Sequence, residues 1–183
     1  RKLALLIGTK EKADLQLVEL GALLHDIDDH KFNGGKLNQG GETAALILQE
    51  FGADDKLCLR IKTIVDKISY KGAQHFEKLE DIETQVIQDA DRMDAIGAIG
   101  IARAFAYGGN KNRPMYQPEV GPKEHRSFEE YANDKSHTIN HFYEKLLLLK
   151  DKMNTKEGRR IAEERHAFME SFLKQFYKEW EGK

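Results

Sequence analysis

The chain is poor in the residues that punctuate or cross-link a fold. Its 183 residues include one cysteine, three prolines and one tryptophan. A lone thiol, Cys58, excludes an intrachain disulfide framework and fits a reducing compartment. A buried packing role is the ordinary one for such a residue. No apolar run approaches the roughly 20 residues that span a bilayer, and no signal peptide is visible. A cytoplasmic protein without a membrane segment is therefore expected. Charge of one sign is also missing: 29 basic residues face 31 acidic ones, for a net charge of −2. That balance, with no basic stripe, argues against a nucleic-acid binder. It leaves room for a nucleotide or another small phosphorylated partner. Strand signals, internal repeats and low-complexity tracts are nearly absent.

What is present is helical periodicity. The opening "RKLALLIG" already reads as helix, so the expectation is that further residues of the element lie upstream. Leu15, Val18, Leu20, Ala22, Leu23 and Leu24 follow the 3.6-residue period behind Asp14, an N-cap candidate. After the glycine-rich "FNGGKLNQGG" come "ETAALILQEFG", stopped by Gly52, and "DDKLCLRIKTIVDKISYKG", capped near Asp54 or Asp55 and stopped by Gly72. "IETQVIQDADRMDAIGAIGIARAFAYGG" reads as the longest helix, buried on several sides, with Gly97 and Gly100 at close packing contacts. All three prolines fall in residues 110–136, one long irregular segment of the kind that forms lids or binding loops. "TINHFYEKLLLLKDKMN" and "GRRIAEERHAFMESFLKQFYKEWE" read as two closing helices. The class is all-α, one domain over 1–183, with seven or eight helices.

The chemistry begins where an apolar run ends. In "ALLHDIDDHKF", residues 22–32, Ala22 to Leu24 look like core, and His25, Asp26, Asp28, Asp29 and His30 do not. Imidazole plus carboxylate is a mixed donor set suited to a first-row divalent ion such as Mn, Fe, Ni or Zn, and less to Ca. Asp26 is costly to hold at the end of a buried run unless something pairs it. "QDADRMDAIG" then sets three aspartates into an apolar helix. Asp91 and Asp94 share a face, and Asp89 lies on roughly the opposite side. Either Arg92 or Arg103 pairs them in a structural network, or Asp91 joins His25 and Asp26 around a metal.

The order "LLHD", followed some 65 residues later by "DADRMDAIG", resembles the HD-domain metal-dependent phosphohydrolases. The likeness extends through "ISYKG", "TINHFYEKLLLLKDKMNT" and "RRIAEERHAFMESFLKQFYKEW", as in a branch of small bacterial nucleotide pyrophosphohydrolases. The resemblance implies a single-domain all-α helical bundle of HD type, with the pattern H…HD…D binding one divalent metal (Mn, Mg, Fe, Ni, Co or Zn). Carried over, His25 and Asp26 match the HD pair and Asp91 the final aspartate. The first histidine of the pattern has no counterpart and is expected upstream of residue 1. Some members carry an acid at the position of Asp29, which would position or activate the attacking water. Asp28 and His30 read as solvated loop residues.

The implied activity is hydrolysis of a nucleotide by attack of a metal-bound water on phosphorus. The products are nucleoside monophosphate and pyrophosphate, or free phosphate. A phosphate substrate needs cations. Lys71 beside Gly72, Arg92, and His141 with Lys145, on one helix face with His137, are the candidates for substrate binding. Tyr107, Tyr116 and Tyr143 are aromatic groups able to stack on a base. Lys62, Lys67, Lys145 and Lys150 otherwise read as a solvated helix face. Two alternatives stay open: an HD phosphodiesterase or alarmone hydrolase with the same ligand set, and a non-catalytic nucleotide-sensing HD domain. No nucleic-acid partner is expected, and a homodimer is left open.

Overall fold

The computed structural model describes residues 1–27, 39–69, 79–123 and 136–183. Within them lie eight α-helices, one 3-10 helix and no strand. No described helix is long and apolar enough to cross a membrane. The chain groups into two compact units, Arg1–Ala90 and Asp91–Lys183.

The first unit holds α1 (Lys2–Glu11), α2 (Leu15–Leu24), α3 (Gly40–Glu50), α4 (Asp55–Ser69) and most of α5 (Ile82–Asp94). Its core is aliphatic: Ala4, Ile7, Val18, Ala44, Ile61, Ile64, Val65, Val86 and Ile87 are all buried, with Cys58 among them. Asp14 is the N-cap of α2. Its Oδ1 accepts from the Gln16 and Leu17 amides at 2.9 and 3.3 Å, satisfying donors that a helix start leaves open. Asp54 does the same for α4 through the Leu57 amide at 2.8 Å.

Two features seat α5 in this unit. The first is a close approach. A Cβ added at Gly21 on α2 would lie 2.5 Å from Ile87 Cδ1 and 3.3 Å from Ile64 Cγ2, so a side chain there would make the Ile87 side chain shift. The second is a polar clamp at the start of α5. Asp81 accepts from the Thr84 amide at 2.9 Å. The Arg60 guanidinium of α4 donates to Asp81 at 3.2 Å and to Glu83 at 3.1 Å, and the Asp14 amide donates to Glu83 at 3.1 Å. Lys67 stands 3.8 Å from Asp81, so it belongs to this clamp rather than to a purely solvated face. Burial pushes the Asp81 carboxyl up, but the Thr84 amide and hydroxyl, then Arg60 and Lys67, outweigh it and hold the group below its usual range.

The second unit continues from Asp91 through α6 (Gly97–Asn110), α7 (Thr138–Glu144), a 3-10 helix (Leu146–Lys152) and α8 (Lys156–Trp180). The single helix expected over the "IETQ…YGG" stretch is two. Gly97 adopts φ 76°, a left-handed conformation natural only to glycine. Arginines take up the carbonyls that the break exposes: Arg165 donates to Met93 O at 2.5 Å and Arg103 to Asp94 O at 3.1 Å. The described Arg103 contact is thus with a backbone carbonyl and not with a carboxylate. The longest helix is instead α8, at 25 residues, started by Thr155, whose hydroxyl accepts from the Gly158 amide.

The helix expected over "TINHFYEKLLLLKDKMN" also breaks, at Lys145. Buried Leu146 and Leu149 are three residues apart, the period at which a 3-10 helix eclipses its side chains. Phe105, Phe142, Phe172 and Phe176 pack against one another, with centroids 5.9–6.3 Å apart, and add an aromatic cluster to a core otherwise made of aliphatic side chains and methionines.

Overpacking at the helix contact should be expensive. We expect Gly21→Leu to lower the unfolding free energy by about 1–3 kcal/mol in denaturant titration, with Leu23→Ala, at a position 58% exposed, within about 0.5 kcal/mol of the parent. Equal stability of the two variants would contradict the described α2–α5 packing.

Candidate metal centre

The end of α2 delivers the first two candidate ligands. His25 is the C-cap residue of that helix, and its Nδ1 lies 3.1 Å from the Ala22 carbonyl. A carbonyl only accepts, so Nδ1 carries a proton, and in the neutral ring the lone pair sits on Nε2. Nε2 in turn stands 3.4 Å from Asp26 Oδ2. Two acceptors held against each other are stabilised by a shared cation. Asp91 supplies the third group, one residue past the first unit and on the same continuous helix as Ile87, so the register of α5 fixes its place.

Among the described residues, His25, Asp26 and Asp91 form the one group of three or more such donors. One ligand atom from each lies within 4.8 Å of the others. An imidazole lone pair and two carboxylates make a mixed N/O set that fits a first-row divalent ion, and the Ala22 carbonyl supplies the outer hydrogen bond by which metal-ligating histidines are usually oriented.

The burial pattern departs from the sequence argument. Asp26 and Asp91 are exposed and His25 is half-buried, so desolvation is not what makes these carboxylates notable. The fully buried aspartate of "DADRMD" is Asp89, on the other side of the helix.

The candidate substrate-binding residues divide. Asp29 and Lys71 lie outside the described residues, as do Asp28, His30 and Gly72. Arg92 donates to the Lys152 carbonyl, a contact inside the second unit. His137 is taken up as a helix cap: buried at the start of α7, its Nδ1 accepts from the Asn140 amide at 3.3 Å, and its Nε2 lies 2.8 Å from Val120 O. His141 and Lys145 remain, one turn apart, the first half-buried and the second exposed. Burial, then the charges of Lys145 and Arg113, push the His141 imidazole down to about 4. Arg113, beside Pro114 in the irregular segment, is a charged neighbour that sequence reasoning did not single out.

The sign of this effect is testable. An imidazole that resists protonation only when folded makes the unfolded chain the better proton acceptor between pH 6.5 and about 4. Its contribution to stability is complete above pH 6.5 and fades as pH falls toward 4. In a histidine NMR titration, the His141 ring signals should stay at their neutral positions down to about pH 5, and His141→Gln should flatten the acid limb of stability over that range. A midpoint near 6.5 for His141 would contradict the described surroundings.

The HD domain family model matches residues 1–96, a span that includes His25, Asp26 and Asp91. The chain is 39% identical over 188 residues to the uncharacterized protein YpgQ of Bacillus subtilis (strain 168), covering 98% of this chain and 80% of that one. Among solved structures it superposes on an HD-superfamily hydrolase from Bacillus thuringiensis with a TM-score of 0.78 and 37% identity, over 100% of this chain and 82% of the other. It also superposes on Bacillus subtilis YpgQ in complex with ADP, with a TM-score of 0.76 and 38% identity, over 97% and 84% of the two chains. With its all-α architecture, its matched family span and these relatives, the chain belongs to the HD domain family.

Proposed function

We propose that the protein is a divalent-metal-dependent phosphohydrolase acting on nucleotides, releasing pyrophosphate or phosphate. The observation that carries this reading is the convergence of the His25, Asp26 and Asp91 donor atoms within 4.8 Å, with the His25 lone pair on Nε2. The ADP complex of YpgQ supports the choice of a nucleotide. When bound, a divalent ion supplies Lewis acidity: it acidifies a water and offsets negative charge on phosphoryl oxygens.

The chain's own groups do the rest. The Ala22 carbonyl orients His25. Asp26 and Asp91 offer carboxylate oxygens without the cost of desolvation, and their exposure leaves room for substrate. We assign Asp29 the role of positioning the attacking water or taking its proton, and Lys71, Arg92, His141 and Lys145 that of meeting the phosphates. His141, neutral at physiological pH, would donate a hydrogen bond rather than a charge. The nucleotide-sensing alternative has no use for a complete set of donors at these three positions, so the donor set favours turnover.

Metal-loaded protein should release pyrophosphate or phosphate from members of a nucleoside triphosphate panel. Asp91→Ala should lose bound metal and at least about a hundredfold in turnover while keeping its helical circular-dichroism signal. Unchanged turnover in that variant would remove the assigned site. Inert metal-loaded protein that still binds nucleotide would favour sensing.

A further inference from the structure

Asp94 is the acid of "DADRMD" that neither the metal centre nor the packing takes up. It is the last residue of α5, three residues beyond Asp91, so the two side chains leave the helix on one face, about one turn apart. Both residues are exposed. The backbone around Asp94 is held firmly. The Ala95 and Ile96 amides close the helix end on the Arg92 and Met93 carbonyls at 3.2 and 3.3 Å. Arg165 donates to Met93 O at 2.5 Å and Arg103 to Asp94 O at 3.1 Å. The point from which the carboxylate projects is thus fixed, while the carboxylate itself makes no hydrogen bond or ion pair among the described residues.

This is a poor place for a negative charge. The C-terminal end of a helix carries the negative pole of its dipole, where an acid costs stability and a base adds to it. Arg103 reaches the end of the helix and bonds the carbonyl of Asp94, not its carboxylate. Nor does Asp94 complete a metal site of its own: among the described residues, His25, Asp26 and Asp91 form the one group of three or more donors. What Asp94 offers is an acceptor fixed at its base, open to solvent, and one turn from a candidate metal ligand.

The ligand that suits it follows from charge. A carboxylate repels phosphate oxygens and accepts hydrogen bonds from neutral donors. In a nucleotide, the neutral donors nearest the phosphates are the hydroxyls of the sugar. When pyrophosphate leaves, the reacting phosphorus is the one esterified to the sugar. With that phosphorus at the metal, the hydroxyls stand roughly 5 Å away, the rise of one helical turn. That matches the step from Asp91 to Asp94 along α5. Acids meet ribose hydroxyls in dinucleotide-binding folds by the same chemistry.

We propose that Asp94 accepts a hydrogen bond from a sugar hydroxyl of the nucleotide and so selects substrates by their sugar. This rests on the nucleotide reading above, in its pyrophosphate-releasing form. Asp94 binds substrate and takes no part in holding the metal.

The test is calorimetric titration of full-length, Mn2+-loaded protein with ADP and, separately, with 2′,3′-dideoxy-ADP. The parent should bind ADP roughly tenfold more tightly than the dideoxy compound. Asp94→Ala should bind the two within about twofold of each other, through weaker binding of ADP alone. Asp94→Asn, which keeps an acceptor but not the charge, should fall between. Both variants should keep the parent's metal content and melt no lower than the parent, since each removes an acid from a helix C-terminus. Equal binding of the two compounds by the parent, no binding of ADP, or a parental ratio in Asp94→Ala would overturn the proposal. So would loss of bound metal in Asp94→Ala, which would place the residue in the metal centre instead.

The outcome is separable from that of the hydrolase reading. Discrimination that depends on Asp94 in a protein that hydrolyses no nucleotide keeps the sugar contact and removes the activity. Hydrolysis of ATP and 2′,3′-dideoxy-ATP by the parent with the same kcat/KM keeps the activity and removes the sugar contact.

Discussion

The bare face of α2 at Gly21 is the contact on which the candidate metal centre depends. With no side chain there, the Ile87 side chain of α5 and the Ile64 side chain of α4 come close to the α2 backbone. The clamp of Arg60, Lys67, Asp81, Glu83 and the Asp14 amide then sets where α5 starts along that contact. Spacing and register together decide which residue of α5 arrives beside the end of α2. That residue is Asp91, less than three turns after the clamp. The apolar packing fixes the distance between helices, and the polar clamp fixes the axial position.

The chemistry of the donors follows from the same architecture. His25 closes α2, and a helix end leaves carbonyls without partners. The imidazole meets one of them through Nδ1, while its Nε2 faces Asp26 Oδ2 at 3.4 Å. A capping role and a candidate ligand role are compatible in one ring because its two nitrogens can do different work. His137 shows the contrasting case: a histidine at the start of a helix, buried, with both nitrogens engaged by the backbone, has nothing left to offer a ligand. The second unit repeats the logic with arginines. Arg165, Arg103 and Arg92 donate to backbone carbonyls where helices stop, whereas Arg113 lies against an exposed tyrosine ring.

Much of this was legible in the sequence where local rules dominate. The 3.6-residue period marked most helices, and Asp14 and Asp54 marked two starts because capping is a short-range interaction. The order His25–Asp26…Asp91 was legible as a likeness to the HD pattern, and the family match agrees. The breaks were not legible. Nothing local distinguishes Gly97 as a left-handed hinge from Gly97 as a packing glycine, since the difference lies in Arg165 reaching back to Met93 O. Leu146 and Leu149 looked like part of a continuing α-helix because a spacing of three suits both helix types. The exposure of Asp26 and Asp91 was hidden by their apolar neighbours in sequence, which lie on other faces of the same helices.

The central claim is that one metal ion is held jointly by His25, Asp26 and Asp91. Anomalous diffraction from crystals of the protein grown with Mn2+ tests it most directly. The account predicts one strong peak at about 2.0–2.3 Å from His25 Nε2 and from a carboxylate oxygen of each aspartate, with His25 Nδ1 still on the Ala22 carbonyl. A peak ligated elsewhere, or metal bound through His25 Nδ1 with the ring turned over, would contradict it.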